Sequence, residues 1–129
     1  MKDYQIETKI YQSIEENGLM QTIGKHFGAG AKIELPFTQK ECETEILSLS
    51  LSVRSTNCLM RAGLRTVGKV LEAMEKNALW GIRNLGKKSR AEIHVCMYEF
   101  GYNSLTEQGR KNFAKRLYQL NKEMYKDIV

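Results

Sequence analysis

The chain has 129 residues, 42% of them hydrophobic, and a formal net charge of +5. That length suits one domain with an appendage, since domains commonly contain about 100–150 residues. No apolar run approaches the roughly 20 residues that span a bilayer, and no apolar segment of the signal-peptide kind follows Met1. We therefore expect a soluble, cytoplasmic protein with no membrane partner.

Charge is divided unevenly along the sequence. Residues 1–47 contain five lysines against eight acidic residues, whereas residues 48–129 contain fifteen basic residues against seven acidic ones. A basic region of this size is expected of a protein that binds a polyanion such as nucleic acid. A soluble protein with a merely basic surface would have the same composition.

The cysteines and histidines form no metal-binding or catalytic pattern. Cys42, Cys58 and Cys96 include no CxxC pair, and neither His26 nor His94 belongs to a set with zinc-finger spacing. Structural zinc sites need four ligands in closer pairs, and thiols spaced in this way fit a reducing compartment better than disulfides. We predict a protein without metal, cofactor or catalytic activity.

The first thirty residues are predicted to form two helices. Ile6, Ile10 and Ile14 recur every four residues, as in an amphipathic helix. This helix is expected over Asp3–Asn17, with Gly18 at its end. A second, short helix would have one apolar side, made of Leu19, Met20, Ile23 and Phe27.

Residues 32–53 are predicted to be mostly extended. Lys32–Phe37 is expected to be extended or a short strand, and Thr38 with Glu41 fits a capping box for a short helix. Apolar residues alternate with serines over Ile46–Val53, which is compatible with a strand. Since no partner strand is evident, we interpret this stretch as an extended linker, after which Ser52 caps the next helix.

Three short helical segments follow. Val53–Ala62 is predicted to be a helix ended by Gly63. Thr66 can cap a second helix, Val67–Met74, and a third helical turn covers about Glu75–Trp80.

Two longer helices are predicted for the C-terminal part. Lys87–Phe100 follows a tight turn at Asn84–Gly86 and would end at Gly101. Ser104 and Glu107 fit a second capping box. That box would open a last helix whose apolar stripe consists of Phe113, Leu117, Leu120, Met124 and Ile128.

Two glycine-centred segments, Leu59–Leu64 and Ile82–Lys87, match the helix-hairpin-helix pattern. Glycine permits a positive φ and has no Cβ, so a phosphate can approach the main chain. The helix that follows presents unpaired N–H groups and the positive end of its dipole. Lys87, Lys88 and Ser89 lie in such a first turn. One glycine hairpin is more often a plain helix connection, but two in tandem favour DNA binding.

Arg54 strengthens this hypothesis. It lies in the first turn of its predicted helix, where a cation opposes the helix dipole, so its position suggests an external anion. Asn57 and Cys58 follow three and four residues later, on the same face. Arginine suits the narrow minor groove of A·T-rich DNA, where the potential is most negative. Taken singly, Arg54 is better explained as a solvated residue and Cys58 as a small buried one.

These segments resemble the C-terminal domain of the bacterial RNA polymerase alpha subunit. The resemblance rests on Val53–Leu59 (VRSTNCL), Ala62–Leu64 and Asn84–Ser89 (NLGKKS), which occur in the family's order and at its separation. It covers Ile46–Gly101, or 56 of 129 residues. It implies a fold that binds double-stranded DNA and contacts sigma factor and transcription activators.

The resemblance also implies roles for individual residues. Arg54 matches the arginine that enters the minor groove of A·T-rich upstream promoter DNA. Ser48 and Ser50 stand where the family has acidic residues associated with sigma contact, and residues 1–45 lack the pattern of the alpha subunit's large assembly domain, so we expect a stand-alone protein. The other positions that match the DNA-contacting surface are Asn57, Cys58, Gly86, Lys88, Ser89 and, at its edge, Glu92.

We therefore predict an all-α protein. A compact domain with two helix-hairpin-helix motifs would occupy residues 46–102, between an acidic N-terminal helical region over 1–45 and a C-terminal amphipathic helix over 103–129. Its predicted function is non-catalytic, A·T-preferring contact with the minor groove of double-stranded DNA in transcription, with RNA polymerase or transcription factors as further partners. The predicted DNA-binding residues are Arg54, Asn57, Cys58, Gly86, Lys87, Lys88, Ser89 and Glu92.

Two alternatives stay open. One is a protein–protein interaction adaptor in transcription, and the other is an accessory helix-hairpin-helix module of a DNA-processing complex.

Overall fold

The computed structural model describes residues 1–127, and these are mainly helical. Within this range there is no strand beyond an isolated bridge between Glu45 and Thr66, so the all-α prediction is confirmed and Lys32–Phe37 forms no strand. No helix in this part of the protein is long and apolar enough to cross a membrane. The α-helices are α1 (Asp3–Asn17), α2 (Leu19–His26), α3 (Gln39–Cys42), α4 (Val53–Arg61), α5 (Val67–Glu75), α6 (Lys87–Asn103) and α7 (Glu107–Leu120). Turns of 3₁₀ helix lie at Ile46–Ser48, Ala78–Gly81 and Lys122–Met124.

The protein divides into two compact units. One consists of Met1–Leu35 together with the segment from Tyr102 onward, and the other is Pro36–Gly101. The sequence-based division set boundaries at residues 45 and 102 and treated the two flanks as separate regions. In the structure the flanks share one unit, because α1 and α7 pack on each other.

The unit formed by the flanks has its core among α1, α2 and α7. The four-residue period of α1 points Ile10 and Ile14 inward, where both are buried. The predicted bounds of the first helix are confirmed, and α2 corresponds to the second predicted helix. The buried hydrophobic side chains are Ile10, Ile14, Leu19, Ile23, Phe27, Tyr102, Phe113, Ala114, Leu117 and Tyr118.

The last helix is shorter than predicted. α7 ends at Leu120, because the next residue, Asn121, is buried and clamps the backbone of Lys32. Its Oδ1 accepts a hydrogen bond from the Lys32 N–H at 2.8 Å, and its Nδ2 donates to the Lys32 carbonyl at 2.9 Å. Of the predicted apolar stripe, Phe113 and Leu117 are buried, and Leu120 and Met124 are partly buried. Ile128 lies outside the described residues.

The junction between α6 and α7 also differs from the prediction. α6 continues through Gly101 for two more residues, because a helix interior tolerates glycine at a cost of about 1 kcal/mol. The N-cap of α7 is Thr106, whose hydroxyl accepts a hydrogen bond from the Gly109 N–H at 3.0 Å. The predicted capping box at Ser104 and Glu107 is therefore wrong, since Glu107 is the first residue of the helix.

The Pro36–Gly101 unit encloses its own core, which comes from α4, α5, α6 and the turns between them. The predicted caps are confirmed: the Ser52 hydroxyl accepts from the Ser55 N–H, and the Thr66 hydroxyl accepts from the Lys69 N–H. The capping box of α3 is confirmed as well. The buried hydrophobic residues are Ile46, Cys58, Leu59, Val67, Val70, Ala73, Leu79, Leu85, Ile93 and Met97.

The predicted linker at Ile46–Val53 is wrong at its start. Ile46 is fully buried and begins a 3₁₀ turn. Its N–H donates to the carbonyl of Arg65 at 3.0 Å, and the Val67 N–H donates to the carbonyl of Thr44 at 2.9 Å. These two backbone hydrogen bonds fix the segment beside the start of α5, and a local pattern of alternation contains no information about them.

Candidate nucleic-acid interface

The first hairpin joins α4 to α5 through Gly63, which has a φ of 80°. The Gly63 N–H donates to the carbonyl of Met60, and the Leu64 N–H donates to the carbonyl of Leu59. This pair of bonds is a Schellman motif, a common arrangement at helix C-termini that places glycine after the cap. The end of α4 therefore explains Gly63, and the first hairpin needs no ligand to account for it.

The second hairpin has a different backbone from the one expected. The sequence pattern assigned the left-handed conformation to glycine, but Asn84 has it, with a φ of 68°, and Gly86 does not. Asparagine tolerates this region better than most residues that carry a side chain. A Cβ placed on Gly86 would have no atom within 4 Å, and the residue is exposed. Its main chain is therefore open to the outside, as the approach of a phosphate requires.

The first turn of α6 comes directly after Gly86. Lys87 and Lys88 are exposed there, and Ser89 is partly exposed. The first N–H groups of a helix have no intrahelical partner, and the positive end of the helix dipole lies at the same place. A phosphate oxygen in this position would meet N–H groups, ammonium groups and a hydroxyl.

Arg54 and Asn57 are exposed on α4. The first turn of this helix contains no acidic residue of its own, and the positive end of the helix dipole disfavours a cation there. Their spacing of three residues places both side chains on one face of the helix. That face is available to an anionic partner.

Two contacts join α4 to the second hairpin, one at each end of this face. Ser52 donates from its N–H and from its hydroxyl to Oε1 of Glu92, at 3.1 and 2.9 Å. Further along α4, the Cys58 thiol donates to the carbonyl of Asn84 at 3.7 Å. Residues 52–58 therefore lie alongside residues 84–92. The structure thus brings together the site residues that the sequence predicted from two separate segments.

Cys58 and Glu92 serve mainly to hold α4 beside the second hairpin through their hydrogen bonds. Cys58 is only 3% exposed, so its side chain is not available to a partner. The nearby Ser55 hydroxyl and the hydrogen bonds from Ser52 together outweigh burial and lower the pKa of Glu92, and the charge of Lys88 adds to this effect. At neutral pH Glu92 is therefore an anion that holds the start of α4.

Arg90 is a residue of this site that the sequence pattern did not reveal. Its Nη1 donates to the carbonyl of Leu85 at 2.9 Å, which fixes the carbonyl next to Gly86. Its guanidinium carbon lies 3.7 Å from the centre of the Trp80 ring, and that tryptophan is 65% exposed. No sequence signal indicates this pair, because the two residues are ten positions apart across an irregular turn.

The cations of this unit are mostly without anionic partners. Among residues 36–101, all of which the structure describes, the only ion pair joins Lys76 to Glu72 on α5. An exposed cluster of unpaired cations is the electrostatic footprint of a protein that binds a polyanion. In the described part of the protein, no three His, Cys, Asp or Glu residues lie close enough to hold a metal ion.

Comparisons with known proteins point to the same part of the sequence. Residues 34–99 match the family described as the C-terminal domain of the bacterial RNA polymerase alpha chain. The protein is 42% identical over 76 residues to the DNA-directed RNA polymerase subunit alpha of Sulfurovum sp., a match that covers 57% of this sequence and 22% of the relative. It is 50% identical over 60 residues to the same subunit of Roseiflexus sp., a match that covers 46% of this sequence and 18% of the relative. It is 36% identical over 84 residues to the subunit of Campylobacter concisus, a match that covers 63% of this sequence and 25% of the relative.

The match therefore spans about a fifth to a quarter of the length of these curated relatives. No solved structure matches the protein significantly. The residues that match the family coincide closely with the Pro36–Gly101 unit, which contains both hairpins.

Proposed function

This protein belongs to the family of the C-terminal domain of the bacterial RNA polymerase alpha chain, and on that premise we propose that it binds double-stranded DNA in transcription without catalysing a reaction. One observation carries the proposal above all others. The hydrogen bonds from Ser52 to Glu92 and from Cys58 to Asn84 hold α4 beside the second hairpin, so the exposed cations of both elements belong to one surface.

The proposed DNA contact has two parts. The N–H groups at the start of α6 bind a phosphate together with Lys87, Lys88 and Ser89. Arg54 enters the minor groove from α4, and Asn57 binds the adjoining sugar or phosphate. The phosphate contacts fix the register of the protein on the duplex, and the arginine provides the sequence preference.

The remaining three predicted site residues act through the main chain or through position. Gly86 lets a phosphate approach because the space that a Cβ would occupy there is open. Cys58 and Glu92 hold the two elements at the distance that the contact needs. Their loss would weaken binding by displacing α4 and not by removing a group that touches DNA.

We propose that the preference is for A·T-rich DNA. A narrow minor groove concentrates negative potential, and arginine is the side chain most often inserted there. The minor groove presents nearly the same pattern for A·T and T·A pairs, so such contacts distinguish A·T from G·C without reading an individual sequence. We therefore expect a higher affinity for A·T-rich than for G·C-rich duplexes, with little dependence on the order of the bases.

We also propose RNA polymerase or transcription factors as protein partners. The relatives are subunits of DNA-directed RNA polymerase by name. The matched region is a fifth to a quarter of those subunits, so their polymerising activity is not carried over to this protein.

Fluorescence anisotropy with A·T-rich and G·C-rich duplexes tests the DNA proposal. We expect wild-type protein to bind the A·T-rich duplex more tightly. Arg54→Ala should weaken that binding by about tenfold or more, as for other groove-reading arginines, and should abolish the difference between the duplexes. Lys88→Ala should weaken binding to both duplexes alike and reduce the slope of log affinity against log salt by about 1.

Lys76→Ala is the matched control. It makes the same change in net charge, but its ammonium already pairs with Glu72 at 3.1 Å on α5. We expect it to bind like wild type. Equal affinities for the Arg54, Lys88 and Lys76 variants would show that this surface is not used for DNA.

The exposed Trp80 favours a protein-interaction adaptor as a second candidate. Tryptophan is enriched at the centres of protein interfaces, and this one is 65% exposed over the Arg90 guanidinium. An adaptor would bind both duplexes weakly and with no dependence on Arg54. The same titration therefore separates the two candidates.

A further inference from the structure

A groove with two arginines lies next to the candidate DNA surface. Its volume is about 650 Å³, and it is lined by the end of α4, the 3₁₀ turn at Ala78–Gly81 and the segment leading into the second hairpin. Arg61 contributes to it from α4, and Arg83 from that segment. Both arginines are exposed, and neither is among the DNA-binding residues predicted from the sequence.

The charge of this groove is positive throughout. Arg61 and Arg83 are the only charged residues among the described ones that line it, and neither belongs to the single ion pair of residues 36–101. Two guanidinium groups in one groove repel each other, and an anion between them relieves that repulsion. The planar guanidinium is also the side chain best matched to phosphate oxygens.

Only one of the two arginines has an explanation within the fold. Arg61 lies in the last turn of α4, where a cation stabilises the negative end of the helix dipole. Arg83 lies in a turn and in no helix, so the dipole does not account for it. Its charge beside Arg61 is the observation that points to an external anion.

The groove is continuous with the candidate interface. Cys58 and Asn84 line it, and their hydrogen bond is one of the two contacts that hold the interface together. Arg61 follows Arg54 by seven residues, which returns it to nearly the same face of α4, about 10 Å further along the axis. The minor groove of DNA is only about 6 Å wide. With Arg54 in the groove and α4 running across it, Arg61 would lie at the level of the sugar–phosphate backbone.

We propose that Arg61 and Arg83 bind the phosphodiester backbone of the same duplex, as a second phosphate clamp on the other side of Arg54 from the junction at Ser52. This inference rests on the proposed DNA binding and extends its footprint. The occupant is duplex DNA, because the groove is continuous with the DNA surface and its charge is complementary to phosphate.

The test compares salt dependence in full-length wild type with that in Arg61→Gln, Arg83→Gln and the double variant. Affinities for A·T-rich and G·C-rich duplexes are measured by anisotropy at four or more salt concentrations. Each lost phosphate contact should reduce the slope of log affinity against log salt by about 1, so the double variant should lose about 2. The ratio of affinities for the two duplexes should stay at the wild-type value, whereas Arg54→Ala should reduce that ratio.

Lys76→Gln provides the matched loss of a charge that already pairs with Glu72 and does not line the groove, and Arg83→Lys retains the charge within it. The first should keep the wild-type slope, and the second should recover most of the slope that Arg83→Gln loses. Circular dichroism melting of each variant checks that it is folded. If the double variant is unfolded, the salt slopes of the two single variants decide the outcome.

Two negative results have different meanings. Wild-type binding that weakens on Arg54→Ala but keeps its salt slope in both groove variants would overturn the second clamp and leave the proposed function standing. Absence of binding by the wild-type protein would overturn the proposed function itself.

Discussion

Asn84 and Gly86 divide between them two tasks that the sequence pattern assigned to one glycine. Asn84 takes the left-handed backbone, with a φ of 68°, and its carbonyl accepts from the Cys58 thiol. Gly86 has an ordinary backbone and an open side toward solvent. Conformational freedom therefore does not explain Gly86, and we propose instead that a ligand approaches its main chain.

This division predicts that Gly86→Ala separates folding from binding. An added Cβ would have no atom within 4 Å, and the backbone of Gly86 is not in the left-handed region. The free energy of unfolding should therefore change by no more than about 1 kcal/mol. DNA affinity should nevertheless fall, because the methyl group blocks the phosphate. Urea denaturation and anisotropy on the same preparation measure both quantities.

Gly63→Ala is the contrasting substitution. Its φ of 80° belongs to the left-handed region, where a residue with a Cβ costs about 1–2 kcal/mol. We expect it to be destabilised to that extent. A Gly86→Ala variant that is destabilised as much as Gly63→Ala would contradict the assignment of Gly86 to ligand approach.

At the scale of elements, the contact between α3 and α5 depends on a missing side chain. A Cβ on Gly68 of α5 would lie 3.0 Å from the Cβ of Cys42 and 3.1 Å from its carbonyl oxygen. The short α3 therefore packs directly on the backbone of α5. The same region is held by the hydrogen bond from the Val67 N–H to the Thr44 carbonyl.

Gly68→Ala should accordingly destabilise the protein. Overpacking costs about 1–3 kcal/mol, which exceeds the gain of up to about 1 kcal/mol from the helix propensity of alanine. Gly24→Ala in α2 is the matched control, since a Cβ there meets nothing within 4 Å, and it should stabilise by about 0.5–1 kcal/mol. Thermal melting of both variants checks the opposite signs.

In the folded protein, ion pairs join acidic and basic residues that are far apart in the sequence. Along the sequence the acidic residues concentrate near the N-terminus and the basic ones after residue 47. In the unit formed by the flanks, Glu15 pairs with Arg110 at 3.1 Å, and Asp3 pairs with Lys122 at 2.8 Å. Among the described residues, four of the six basic ones after residue 101 therefore have acidic partners, whereas only one cation of the Pro36–Gly101 unit does.

The cluster around Glu15 makes the stability of this unit depend on pH. Burial opposes the ionisation of Glu15, but hydrogen bonds from Tyr11, Tyr102 and Arg110 outweigh it and hold its pKa below the ordinary 4.5. A carboxylate with a lowered folded-state pKa contributes stability above 4.5 and loses it as the pH falls through the folded value.

Glu15→Gln should therefore lower the free energy of unfolding at pH 7 by up to about 1 kcal/mol, as for a partly exposed pair. The difference from wild type should shrink as the pH falls below 4.5 and through the lowered folded-state pKa, where wild-type Glu15 also becomes neutral. Urea denaturation across this range measures it, with the exposed neighbour Glu16→Gln as control. A difference that persists unchanged in acid would contradict the assignment.

Local sequence signals were enough to predict the helices and most of their caps. Periodicity located α1, and Ser52 and Thr66 marked the starts of α4 and α5, because these signals act within one or two helical turns. The sequence also located both hairpins and the cations at the second. These features depend on residues nearby in the sequence, so one sequence was enough to predict them.

Contacts between distant segments could not be predicted in this way and depend on the packing of the folded protein. The tertiary structure paired α1 with α7, buried Ile46 against the start of α5, and ended α7 where Asn121 clamps Lys32. It also placed Arg61 and Arg83 in one groove. Each of these contacts joins residues separated by many positions, and its free energy depends on packing that no local pattern encodes.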